Sequence, residues 1–116
     1  LLIELGLPTI IKLGKKAANG YQKDAETLVK MSPYIDGIVE ENYATVIVQW
    51  ANQNPKFLVA ILDRQSPTIR RAVLSSLDFG LVTNTNERKN LEKFMQNISP
   101  KSLTYVDWYR RNPVYP

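Results

Sequence analysis

Pro55-Lys56-Phe57-Leu58-Val59-Ala60-Ile61-Leu62-Asp63-Arg64-Gln65-Ser66-Pro67-Thr68-Ile69-Arg70-Arg71-Ala72-Val73-Leu74-Ser75-Ser76-Leu77 decides the fold class. Leu58, Ile61 and Leu62, then Ile69, Val73 and Leu77, recur every three or four positions, which is the one-sided pattern of a helix. Asn52-Gln53-Asn54-Pro55 breaks the chain ahead of them. Ser66-Pro67 supplies a serine cap and a proline at the first helical position. The stretch reads as two short helices joined by a tight turn.

The same punctuation extends outward in both directions. Leu7-Pro8 suggests a first helix, with Leu7, Ile10, Ile11, Gly14, Ala17 and Ala18 on one side and Lys12, Lys15 and Lys16 on the other. Asn19-Gly20 stops it, and a second helix follows from Tyr21 to Met31. Ser32-Pro33 predicts the start of a long helix whose stripe runs Ile35, Ile38, Val39, Asn42 or Tyr43, Val46, Ile47 and Trp50. Residues 43–50 are rich in β-branched and aromatic side chains, so a strand competes there. Unbroken periodicity from Ile35 favours the helix. Downstream, helices are expected from Ser66-Pro67 to a stop at Gly80, from Asn86 to Asn97, and from a Ser99-Pro100 cap to Arg111.

The expected architecture is all-α: six or seven short antiparallel helices in a compact helical stack or irregular bundle, forming one domain over residues 1–116. The expected core is Ile38, Val46, Ile47, Leu58, Ile61, Leu62, Ile69, Val73, Leu77, Leu91 and Phe94. An opening of Leu1-Leu2-Ile3, without an initiator methionine, reads as a piece of a longer chain.

Composition narrows the chemistry. Hydrophobic residues make up 44%, enough to bury a core, and 15 Lys+Arg against 11 Asp+Glu leave a net charge of +4. There is no Cys and no His. Thiol nucleophiles, imidazole acid–base chemistry, Ser-His-Asp triads and Cys/His zinc sites are therefore excluded within this chain. Absent cysteine is compatible with an intracellular setting and leaves localisation open. No apolar run reaches the roughly 18 residues of a membrane span. The five glycines are scattered and form no phosphate-binding loop. No catalytic, cofactor-binding or metal-binding residues are assigned.

Ser-Pro recurs at Ser32, Ser66 and Ser99, separated by 34 and 33 residues, a period typical of helical repeats. Ile35, Ile69 and Leu103 occupy matching places after each pair. The stretch 55–77 also resembles a HEAT/armadillo-type helical repeat. The resemblance rests on Pro55, Asp63, the Ser66-Pro67 turn, Ile69-Arg70, and Ala72, Val73, Leu74 and Leu77. It implies a scaffold or partner-binding surface, with Asp63 and Arg70 supporting one another between neighbouring units. The spacing between those two is one residue longer than the usual repeat pattern.

Three surface features remain. Lys101, Tyr105, Trp108, Tyr109, Arg110 and Arg111 mix cations with aromatic rings, followed by Asn112-Pro113-Val114-Tyr115-Pro116, which cannot continue a helix. This segment reads in three ways: a core-closing Trp108 with solvated arginines complementing the helix end, a protein interface, or a single-strand nucleic-acid platform. The expected partner-binding residues are Trp108, Tyr109, Arg110, Arg111 and Tyr115. Lys12, Lys15, Lys16 and Arg70-Arg71 are basic candidates for phosphate contact. Asp36, Glu40 and Glu41 are the only acidic cluster and read as a solvated face, with Asp36 and Glu40, one turn apart, the alternative site for a hard cation. The run from Ser32 to Pro55 holds no Lys or Arg, which suits a basic partner. A non-enzymatic interaction or assembly domain, binding a protein partner or itself, is the leading reading. A basic nucleic-acid-binding module of a viral or ribonucleoprotein assembly is the alternative.

Overall fold

The computed structural model describes the backbone of residues 2–35 and 37–111, with the side chains of residues 2–6 and 38 outside the description. Among the described residues seven α-helices follow one another: α1 Leu2–Ala18, α2 Gln22–Lys30, α3 Ile38–Gln53, α4 Pro55–Asp63, α5 Pro67–Leu81, α6 Thr85–Gln96 and α7 Leu103–Arg111. A 3₁₀ turn, Ser32–Tyr34, lies between α2 and α3. The described residues contain no strand, so the expected all-α packing holds, and residues 43–50 are helical.

α3 lies at the centre, with α1 against one side, α5 against another, and α4 and α6 also in contact. Val39, Tyr43, Val46, Ile47, Val48, Trp50 and Ala51 are all buried. Close approach on both sides depends on missing side chains. A Cβ on Gly14 of α1 would collide with Val46 Cγ1. A Cβ on Gly80 of α5 would lie 2.6 Å from Val48 Cγ2 and 3.1 Å from the Ala44 carbonyl. Gly80 is therefore a crossing point inside α5, not the expected stop. The helix continues to Leu81, because packing against α3 outweighs a glycine's helix penalty of about 1 kcal/mol.

Local signals hold at several boundaries. Gly20 takes φ +89°, while Gly20 N donates to Ala17 O and Tyr21 N to Lys16 O, the paired bonds of a Schellman stop. Asn54 and Ser66 accept from Phe57 N and Ile69 N and cap α4 and α5.

Three further boundaries differ from expectation. α1 begins upstream of Leu7, leaving Pro8 inside the helix without an N–H to donate to the preceding turn. Ser32-Pro33 opens only the 3₁₀ turn: the Ser32 hydroxyl donates to Val29 O at 2.7 Å, and the long helix starts after Gly37, whose φ of +60° suits glycine. Ser99-Pro100 also caps nothing α-helical, since α7 begins beyond Ser102, the residue whose Oγ accepts from Tyr105 N. The three Ser-Pro pairs thus do three different jobs.

Of the expected core, Val46, Ile47, Leu58, Ile61, Leu62, Val73, Leu77 and Leu91 are buried. Ile69 and Phe94 pack half-buried against the core, and the Ile38 side chain lies outside the described residues. Replacing Leu62 or Leu77 by Ala should cost about 2–5 kcal/mol in urea unfolding. Val82→Ala, at a side chain 73% exposed, should stay within about 0.5 kcal/mol. Losses below about 1 kcal/mol at both leucines would mean the helix faces are wrongly assigned.

Tyr43 is buried, its hydroxyl donates to Leu28 O at 2.7 Å, and burial pushes its phenol well above the ordinary 10. An unfolded chain ionises this group near pH 10 while the fold keeps it protonated. Its contribution is therefore intact below pH 10 and declines as pH rises beyond it. Alkaline unfolding followed by tyrosinate absorbance should show this limb, and Tyr43→Phe should weaken it. An unchanged alkaline slope in the Phe variant would assign the effect elsewhere.

Candidate functional site

The C-terminal helix has an inner face that is unusually polar and an outer face that is apolar. α7 buries Thr104, Asp107 and Trp108. Leu103 is 50% exposed and Val106 39% exposed. Both therefore face solvent, although Leu103 stands in the place after Ser-Pro that Ile35 and Ile69 occupy. The cause lies on the α4–α5 hairpin, which meets α7 with charged groups.

Asp63 ends α4, and its Oδ1 accepts from Ser102 Oγ at 2.8 Å and Thr104 N at 2.9 Å. It places a carboxylate at the start of α7, where the helix dipole favours negative charge. One turn farther along α7, Asp107 forms a buried ion pair with Arg70 of α5, the side chains being 5% and 4% exposed. Arg70 Nη1 also donates to Gln65 O at 3.0 Å, and Arg71 Nε lies 3.5 Å from Asp107 Oδ1. At the far end, Asp78 of α5 accepts from Arg111 Nε at 2.8 Å and from Arg88 Nη2 at 3.1 Å. Asp63 and Arg70, which the repeat resemblance pairs with each other, instead both reach α7.

The expected partner-binding residues separate on this frame. Trp108 is fully buried beneath Arg88, whose guanidinium carbon stands 5.9 Å from its ring centre, so Trp108 is core and not contact surface. Tyr109 is half-buried and packs on Tyr105 with ring centres 4.7 Å apart. Partial burial, then the neighbouring Tyr105 and Glu92, push its phenol up. Arg110 is exposed, and Arg111 is held by Asp78. Tyr115 lies outside the described residues. The structure brings Tyr109 and Arg110 to one surface with the apolar Leu103 and Val106. Leu103, Val106 and Arg110 fall at i, i+3 and i+7, a visible helical spacing, but it cannot say which stripe faces inward.

Among the other candidates, Arg70 is buried on Asp107 and offers no phosphate contact, whereas Arg71 is exposed. Lys12, Lys15 and Lys16 are exposed along α1, with Lys16 Nζ 5.9 Å from the Tyr21 ring centre. Asp36 lies outside the described residues, and no cluster of three potential metal ligands occurs among the described ones. No described helix is long and apolar enough to cross a membrane. No protein-family model, curated protein or solved structure matches this chain.

Asp107→Ala should leave Arg70 buried and unpaired, costing about 3–5 kcal/mol. The double replacement Arg70→Leu with Asp107→Leu should recover most of that loss in chemical denaturation. A double variant as unstable as Asp107→Ala would show that the pair itself, and not the orphaned charge, sets the stability.

Proposed function

We propose that this chain is a non-enzymatic protein-interaction and assembly module, and that the outer face of α7 is its contact surface. One observation carries the reading: Leu103 and Val106 point outward beside Tyr109 and Arg110, on a helix held from behind by Asp63 and Arg70. A nine-residue helix is marginal alone. Tethered in this way, it presents apolar side chains at little ordering cost on binding, and Tyr and Arg are the residue types that dominate interface energetics. The contacts from the α4–α5 hairpin to α7 also accord with the unit-to-unit support that a HEAT/armadillo-like scaffold implies.

The nucleic-acid alternative is weaker at this helix. Arg70, Arg71, Arg88 and Arg111 are all engaged with carboxylates, so the cations near α7 are largely neutralised. Salt-dependent oligonucleotide binding would revive it, with Lys12, Lys15 and Lys16 the first residues to test.

Sedimentation velocity at rising concentration, with photocrosslinking from the exposed position 110, tests the proposal. Wild-type chain should self-associate, or give a discrete protein adduct in cells. Leu103→Asp with Val106→Asp should abolish either outcome without loss of helicity. A chain that stays monomeric and yields no adduct would overturn the reading.

A further inference from the structure

A second surface lies where α3 meets the end of α5 and the start of α6. Two adjoining cavities of about 300 and 220 Å³ open there and share Thr45, Gly80 and Asn84. The close α3–α5 crossing at Gly80 makes the floor shallow and apolar, with Ala44 and Val48 buried beneath. Glu41, Thr45, Gln49 and Asn52 form the exposed stripe of α3 along one wall, and Glu87 of α6 stands on the other. Phe79, half-exposed, adds an apolar rim.

The charge here runs against that of the whole chain. The net charge is +4, yet no Lys or Arg lines either cavity, and none occurs from Ser32 to Pro55. Among the described residues, Glu41 and Glu87 enter no salt bridge. Gln49 and Asn52 likewise make no side-chain hydrogen bond among them. A groove with carboxylates on its walls, uncommitted amides between them and an apolar floor complements a positively charged backbone segment. From Glu41 to Asn52 the helix rises about 16 Å at 1.5 Å per residue. An extended chain covers that distance in about five residues.

We infer that this groove binds an extended cationic peptide segment of another protein, about five residues long. A Lys or Arg near each end meets Glu41 and Glu87, and the peptide groups between pair with Gln49 and Asn52. An apolar side chain in the middle rests on Val48 and Phe79. No residue of the groove belongs to α7, so this site stands or falls separately from the α7 surface.

The test uses a fluorescent peptide of sequence Lys-Ser-Leu-Ser-Arg, whose first, third and fifth side chains share one face when extended, and its counterpart with Glu at both ends. Anisotropy should show saturable binding of the basic peptide, weakened by salt, and none of the acidic one. Glu41→Gln with Glu87→Gln should weaken it roughly five- to tenfold, the scale of two partly exposed ion pairs. Thr45→Arg, at an exposed position shared by both cavities, should abolish binding by filling the groove and repelling the peptide. Circular dichroism checks that each variant folds, and amide chemical shifts should move at residues 41–52 and 87. Absence of binding, equal binding of the acidic peptide, unchanged affinity in both variants, or shifts centred on α7 would each overturn the inference.

Discussion

Everything else in this fold depends on enclosing α3. Its sequence Tyr43-Ala44-Thr45-Val46-Ile47-Val48 favours an extended backbone locally, by amounts that span about 1 kcal/mol per position. Complete burial of a large apolar side chain contributes about 1.5–3 kcal/mol, and Tyr43, Ile47 and Trp50 are completely buried. Tertiary burial therefore decides the conformation. It can do so only because α1 and α5 approach closely at Gly14 and Gly80. The same constraint confines the exposed side chains of α3 beyond its first turn to one side, with Thr45, Gln49, Asn52 and Gln53 gathered there.

The C-terminal helix is positioned by a different kind of force. Hydrophobic packing is nearly non-directional, whereas the carboxylates of Asp63 and Asp107 each accept from specific donors. A short helix with Trp108 as its main apolar anchor could otherwise roll about its axis. Polar ties at its start, middle and end fix the rotation, and that rotation puts Leu103 and Val106 in solvent. Buried ion pairs often add little net stability, and specificity of this sort is a better account of Arg70–Asp107.

How much was legible follows from the range of each interaction. Asn19-Gly20, Asn54-Pro55 and Ser66-Pro67 act through bonds to residues within a turn, and each marks its boundary as read. Ser32 and Ser99 carry the same local signal, but competing bonds capture them, Ser32 to Val29 O and Ser99 to Lys101 N. Periodicity revealed the core of α4 and α5. It failed on α7, because a stripe containing Thr104 and Asp107 looks solvent-facing until Asp63 and Arg70 are known to lie opposite, 41 and 37 residues away in sequence. The absence of cations from Ser32 to Pro55 was visible at once, but the groove beside them was not, since it is made by the crossing at Gly80.

The two glycine crossings tie distant positions into units of shared volume. Gly14 belongs with Val46, and Gly80 with Val48 and Ala44. Within each unit the room is fixed by the spacing of two helix axes, so a gain on one side has to be matched by a loss on the other. Among divergent descendants of this sequence, a methyl appearing at position 14 should travel with a smaller side chain at 46. Position 80 has less freedom, because one of its neighbours is a backbone carbonyl that no substitution can shrink.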